Sequence, residues 1–176
     1  MSRKSAASTT EVAEAPDYVA PLHAYRLWAV EEVAGSARLR SLYWPCIWPV
    51  GAPFAAQCHS RSFRLWRKAP HQTPVTKCTC GIYAVPAAVI PRLARDGAMP
   101  PDRPVVIGAV SLWGSVVECE RGWRAAFAYP DSLFVPWRCS SAEKTAVDLE
   151  AYGVPVDLLE VWNVNAALGA VVELAA

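Results

Sequence analysis

The sequence predicts an α+β domain, built from a mostly antiparallel β-sheet or a small barrel with two or three helices and a long loop held by zinc. Three features lead to this prediction. Short apolar and aromatic runs are separated by Gly, Pro or Ser, two longer apolar runs flank a polar turn, and helix start and stop residues follow. At 176 residues and 53% hydrophobic, the chain can form one buried core but not a second, cofactor-binding domain.

The N-terminal residues differ in composition from the rest. Residues 1–20 are rich in Ser, Thr, Ala and Glu without an apolar period, so we expect a disordered leader followed by a single globular domain over residues 21–176. No apolar run of a secretory signal is visible, and acidic residues interrupt the C-terminal apolar stretch before the ~18 residues that span a bilayer. These features predict a cytoplasmic protein without a membrane span, whose thiols stay mostly reduced.

The elements of the first half are short. Apolar runs predict strands over residues 25–30, 39–48, 54–58 and 80–85. Residues 86–98 predict a short helix, which Pro91 would break or start late.

The clearest element is a β-hairpin. Residues 105–118 and 123–135 are apolar and aromatic, and the polar turn between them contains Gly122. Both faces of the hairpin are largely apolar, so we expect it at the centre of the sheet.

Two helices are predicted near the C-terminus. Ser140 and Glu143 match a capping box, residues 144–152 continue the helix, and Gly153 followed by Pro155 ends it. A final helix is predicted over residues 156–174.

The charged residues are sorted along the chain. Nine Lys and Arg and no carboxylate lie between Glu32 and Asp96, whereas eleven Asp and Glu occur against five Lys and Arg from Asp96 onward. The net charge of +1 conceals this division. It predicts an anion-binding surface on the middle segment, although the basic and acidic parts could instead face each other within the fold.

Four residues of the carboxylate-free segment predict a metal site. Twelve residues separate Cys58 from His71, six separate His71 from Cys78, and one separates Cys78 from Cys80. Three sulfur ligands and one imidazole are the set that tetrahedral structural Zn²⁺ prefers. The metal would close the long, polar, proline-containing loop between them.

Alternative roles for these residues compete with zinc binding. His59 could replace His71 as the fourth ligand, although ligation by both Cys58 and the adjacent His59 is awkward. The four could also be ordinary buried cysteines and a surface histidine, because free Cys is often buried. An iron–sulfur cluster fits less well, since the usual sets use four thiolates. Cys46 and Cys119 lie in apolar surroundings and are predicted to be small core residues.

The loop also carries a basic and aromatic cluster. Cations that alternate with aromatic rings suit phosphate contacts beside base stacking, although such rings more often belong to a core. The residues predicted to bind nucleic acid are Arg61, Arg64, Trp66, Arg67 and Lys68. An acidic protein surface is the second candidate partner.

The sequence contains no familiar catalytic motif, neither a phosphate-binding Gly loop, nor a nucleophile elbow, nor a His-Glu-x-x-His helix. The polar group that most resembles a site lies at the hairpin turn and consists of Glu118, Glu120, Arg121 and Arg124, but an exposed salt bridge accounts for it more simply. The predicted function is therefore a non-catalytic, zinc-stabilised module that binds an anionic partner. The alternative is a small enzyme acting on a nucleotide-like substrate in a pocket lined by Glu118, Glu120 or Tyr83.

Overall fold

A computed structural model describes residues 20–58, 71–95, 103–136 and 141–159 of the chain, with side chains except at residues 94 and 95. These residues form a mixed, seven-stranded sheet with two α-helices, which confirms the α+β class. The strands are β1 (Leu22–Val33), β2 (Ser36–Ser41), β3 (Phe54–Ala55), β4 (Ile82–Ala84), β5 (Val105–Cys119), β6 (Gly122–Pro136) and β7 (Val156–Leu159), and the helices are α1 (Ile90–Arg95) and α2 (Ala142–Leu149).

The predicted hairpin is the centre of the sheet. Strands β5 and β6 have 15 residues each and pair along their length, and β1 and then β2 continue the sheet beyond β5. Three short strands pair with the edge of β6 that faces away from β5. Along β6 they follow one another in the order β4, β3 and β7. Six of the seven strands pair antiparallel, and β7 runs parallel to β6. A single long strand therefore organises three distant parts of the chain.

The sheet is strongly curled but open. Residues Ile82–Ala84 pair with the outer edge of β6, and the next residue, Val85, exchanges hydrogen bonds of 2.8 and 2.9 Å with Tyr25 on the outer edge of β1. This contact is one bridge pair and does not continue into a ladder, so the sheet is not closed into a barrel. The barrel alternative was thus wrong, because the segment after Val85 turns away into a 3₁₀ turn and α1.

Aromatic rings fill the core between the sheet and α2. Trp28 meets Trp48 edge-on at 5.3 Å, and Trp48 stacks on Phe54 at 4.9 Å. The buried Tyr152 hydroxyl accepts from the Leu39 amide at 3.0 Å and donates to the Trp48 carbonyl at 2.9 Å. That hydroxyl links the segment after α2 to β2, through Leu39, and to the chain that follows β2, through Trp48.

Helix α2 confirms the position of the second predicted helix, but the α-helix ends at Leu149, and the predicted residues 150–152 form a 3₁₀ turn that stops at Gly153. Gly153 takes a left-handed conformation with φ of +71°. The start differs, because Ser141 is the N-cap, with φ of +67° and no side-chain cap hydrogen bond, while Ser140 lies outside the described residues. The helix expected over 156–174 was wrong at its start, since Val156–Leu159 form β7. The open edge of β6 offers backbone partners there, and residues 160–174 are not described.

Several boundaries also moved. The strand predicted over 39–48 ends at Ser41, where the chain folds into a hook closed by hydrogen bonds from Ser41 N to Cys46 O (3.0 Å) and from Trp48 N to Leu39 O (2.8 Å). The helix expected over 86–98 contains a 3₁₀ turn and then α1, with Pro91 in its first turn. Of the predicted leader, only Ala20 is described. Within the described parts of the chain, none of the helices has the length and apolar character needed to cross a membrane.

Candidate metal centre

The four residues predicted to bind a metal converge. The ligating atoms of Cys58, His71, Cys78 and Cys80 all lie within 4.8 Å of one another, and every one of these residues is partly buried. The Cys58 and Cys78 Sγ atoms are 3.7 Å apart, and the three thiols are not joined in disulfides. The set is therefore close enough to hold one metal ion. His59, the alternative ligand, lies outside the described residues.

The edge of β6 positions both cysteine segments. Cys58 lies three residues beyond β3, whose pairing with β6 is extended by a 2.8 Å hydrogen bond from Ala56 N to Ala126 O. Cys80 lies two residues before β4, which pairs with residues 123–125 of the same strand. Two short strands on one edge thus place residues that are 22 positions apart in the sequence next to each other.

The histidine is oriented by its neighbour. His71 Nδ1 lies 2.8 Å from the carbonyl oxygen of Gln72, a distance at which the ring nitrogen donates. In that tautomer the Nε2 atom carries the lone pair that a metal needs. A hydrogen bond from one ring nitrogen that fixes the other for coordination is typical of metal-binding histidines.

The turn around Cys78 and Cys80 depends on a glycine. Cys78 N donates to Val75 O at 3.1 Å, and Gly81 has φ of +120°, which L side chains rarely adopt. A Cβ at Gly81 would also lie 3.0 Å from the Arg124 Cβ and 3.1 Å from the Pro74 Cβ. Only glycine turns the chain here from the thiol pair into β4 without strain.

Arg124 stabilises this turn through hydrogen bonds to its carbonyl oxygens. The residue is 6% exposed, its guanidinium donates to the carbonyl oxygens of Cys78 and Cys80 (2.8 Å to Cys80), and its Nε donates to Cys119 Sγ at 3.2 Å. The exposed salt bridge expected for Arg124 at the hairpin turn was therefore wrong. Arg124 lies opposite Tyr83 in the pairing of β4 with β6, and its guanidinium lies over the Tyr83 ring, 5.8 Å from its centroid. The carbonyls of the thiol turn cover it on that face.

The thiols differ in acidity. A hydrogen bond from the Cys80 backbone lowers the pKa of Cys78 to about 6, with smaller contributions from the side chains of Cys80, Cys58 and His71. Burial raises the pKa of Cys80. Cys78 is thus the first thiol of the pair to ionise, and the thiolate is the form that binds metals.

Two further cysteines do not lie in the core. Cys46 and Cys119 are partly buried rather than buried, so their prediction as core residues was wrong. The hook after β2 turns Cys46 away from the core, and Cys119 lies at the end of β5, where Arg124 reaches its sulfur. Cys119 was not predicted to lie near the thiol turn, and the sequence offers no periodicity that would have indicated it.

The predicted nucleic-acid-binding residues Arg61, Arg64, Trp66, Arg67 and Lys68 all lie outside the described part of the chain, between Cys58 and His71. Trp48, one of the aromatics that alternate with arginines in the sequence, is 1% exposed and belongs to the core. Trp44, by contrast, is 57% exposed.

No protein-family model, curated protein or solved structure matches this chain significantly.

Proposed function

We propose that this protein is a non-catalytic binding module, stabilised by zinc, whose basic loop binds nucleic acid. The observation that carries the proposal is the convergence of Cys58, His71, Cys78 and Cys80 within 4.8 Å. Two of these residues border the most basic segment of the chain, so the stabilising centre and the binding segment are adjacent in sequence.

Zinc is the metal that the donor set favours. Three sulfurs and one imidazole nitrogen complete a tetrahedral shell, and thiolates about 2.3 Å from a tetrahedral ion lie about 3.8 Å apart. The Cys58 and Cys78 sulfurs are already 3.7 Å apart. Four protein ligands leave no coordination position for a substrate or an activated water, so the centre is of the structural and not the catalytic kind.

The metal would also close the basic loop. Cys58 and His71 are separated by twelve residues, among which the sequence has four cations and no carboxylate. Bonds from both ends of the loop to one ion restrict the conformations of the free loop. The loop then loses less conformational entropy when it binds nucleic acid. Cations restricted in this way bind a polyanion with release of its counterions.

Metal content tests the first half of the proposal. Elemental analysis of protein purified under reducing conditions should find one zinc per chain. Cys78→Ser should lose it, whereas the matched control Cys46→Ser, a thiol outside the four, should retain it. Protein that neither contains nor takes up zinc, or a Cys78→Ser variant that retains it, would contradict the assignment.

Salt dependence tests the second half. Affinity for nucleic acid should fall steeply with salt, and Arg64→Ala combined with Arg67→Ala should weaken it and lower the logarithmic salt slope by about 2, one for each lost phosphate contact. The control is Arg103→Ala, because Arg103 pairs with Glu31 away from the metal centre. Absence of binding at low salt would remove the nucleic-acid proposal, and binding of polyglutamate instead would favour an acidic protein partner.

A small enzyme for a nucleotide-like substrate is the second candidate. A groove of about 1730 Å³ includes Tyr83 and Glu120 in its lining, but not Glu118. Burial raises the pKa of Tyr83 above its usual value of 10.0, so the phenol stays protonated at neutral pH and cannot act as a base. Incubation of the zinc-loaded protein with nucleoside triphosphates tests this candidate, which fails if no product forms.

A further inference from the structure

A groove lies beside the metal centre. Its described lining comes mainly from β1 around Arg26, from the hook after β2, from the β3 segment as far as Cys58, from Cys78 through Val85, and from the turn between β5 and β6. The volume of about 1730 Å³ exceeds the ~300–1,000 Å³ of sites that enclose one small molecule. An extended ligand therefore fits this groove better than a compact one.

Exposed aromatic rings line the groove. Tyr43 is 76% exposed, Trp44 57% and Tyr83 47%, in contrast to the fully buried Trp28 and Trp48 of the core. Backbone hydrogen bonds from Ser41 N to Cys46 O (3.0 Å) and from Cys46 N to Trp44 O (2.7 Å) hold the main chain that carries Tyr43 and Trp44. Large rings on a fixed backbone can stack on planar groups with little loss of conformational entropy.

A cation with spare hydrogen-bonding capacity lies in the same wall. The Arg26 guanidinium lies over the Trp48 ring, 5.4 Å from its centroid, and donates to the Tyr83 carbonyl. Its Nε is buried without a hydrogen-bond partner, and Arg26 forms no ion pair with a carboxylate among the described residues. Burial lowers the pKa of Arg26 only to about 10, so the side chain is charged at neutral pH.

The cation of this wall favours an anionic group at Arg26. Among the described lining residues Arg26 and Arg121 are cationic and Glu120 is the one carboxylate, while Cys58, Cys78 and Cys80 would give the zinc-loaded centre a net charge of about −1 in the same groove. The Arg26 side chain is partly buried, so part of its hydration is lost without a compensating counter-charge, and an anionic group of a ligand would offset that loss. Stacking rings beside a cation suit bases joined by phosphates.

We propose that this groove binds single-stranded nucleic acid, with unpaired bases on Tyr43 and Trp44 and a phosphate at Arg26. This inference rests on the proposed function and adds the strandedness of the ligand and a second contact surface. Unpaired bases are required because the rings can stack only on a base face that a duplex keeps covered.

Fluorescence anisotropy of the full-length, zinc-loaded protein tests the proposal with a labelled DNA single strand of about twelve nucleotides and a blunt-ended duplex of the same length. The single strand should bind more tightly. Trp44→Ala should weaken its binding by about 5- to 150-fold, the effect of losing one stacked base. Arg26→Lys should also weaken it, because a lysine lacks the planar fork of donors.

The control variants lie outside the groove. Phe127→Ala removes a ring that is 40% exposed, and Arg103→Lys changes an arginine paired with Glu31. Both should bind as the unaltered protein does. Tyr43→Ala and Trp44→Ala truncate exposed rings, so they remain informative if Arg26→Lys fails to fold.

The outcomes separate this inference from the proposed function. Suppose that Trp44→Ala and Tyr43→Ala bind the single strand as tightly as the unaltered protein, whereas the Arg64 and Arg67 double variant binds it more weakly. The groove is then refuted as a binding site, and the proposal that the basic loop binds nucleic acid stands. Equal or tighter binding of the duplex also refutes the groove. If neither nucleic acid binds at low salt, the proposed function and this inference fail together.

Discussion

Replacement of Arg124 by Met tests how the fold prepares the metal centre. Methionine approximates the length of arginine without its donors, so Arg124→Met removes the hydrogen bonds to the Cys78 and Cys80 carbonyls and to Cys119 Sγ. The conformation of the thiol turn would then depend on Gly81 and on the pairing of the following strand, β4, with β6. We expect the two thiols to lose their fixed spacing before metal binds.

The magnitude follows from the number of bonds lost. The two hydrogen bonds to carbonyl oxygens are worth about 3–6 kcal/mol in total, and the third, to sulfur, is weaker. The loss is partly offset because the protein no longer desolvates a guanidinium, which costs several kcal/mol. The net loss in the free energy of unfolding should be about 1–3 kcal/mol. Zinc affinity should fall by about 10- to 100-fold, as is usual when a group that orients metal ligands is removed.

Competition with a chromophoric chelator measures zinc affinity, and urea unfolding of the metal-free protein measures stability. The matched control is Arg121→Met, because Arg121 lies on the same hairpin turn but is exposed. Arg121→Met should leave zinc affinity unchanged. A folded Arg124→Met protein with the zinc affinity of the unaltered chain would refute the role assigned to Arg124.

Two further predictions concern the fold that supports the centre. Tyr152→Phe removes a hydroxyl that bonds the Leu39 amide and the Trp48 carbonyl, so urea unfolding should show a loss of about 2–4 kcal/mol, and an unchanged midpoint would contradict this. Asp148 has a pKa lowered chiefly by the hydrogen bond from Lys144, so its contribution to stability is present above the ordinary pKa of 3.8 and is lost as pH falls through the lowered value. Asp148→Asn should therefore flatten the acid limb of stability against pH, and an acid limb identical to that of the unaltered protein would contradict this.

Local patterns explain what could be predicted of the fold. The hairpin of β5 and β6 was predicted because both runs are rich in apolar and aromatic residues and a short polar stretch separates them. In the structure Gly122, with φ of +152°, directly follows the turn as the first residue of β6. The end of the α2 region was predicted because Gly153 is followed by a proline. These features act within a few residues, where propensity and turn chemistry decide the structure.

Distant partners explain what could not be predicted. The segment after Pro155 is a strand and not a helix because it pairs with β6, more than 20 residues earlier. Arg124 was assigned to an exposed ion pair because its acceptors, the carbonyls of Cys78 and Cys80, lie 46 and 44 positions away. Propensity has little weight where a neighbouring strand edge or a buried acceptor is available.

The sequence by itself determined which donors are available to the candidate metal centre, since the carboxylate-free segment contains only cysteines and the two histidines His59 and His71 as metal-binding side chains. The tertiary structure decided that four of these donor atoms lie within 4.8 Å of one another, and that Tyr43, Trp44 and Arg26 line a groove beside them. The physical reason is that composition fixes which atoms can coordinate or stack. Their distances depend on which strands pair along the edge of β6.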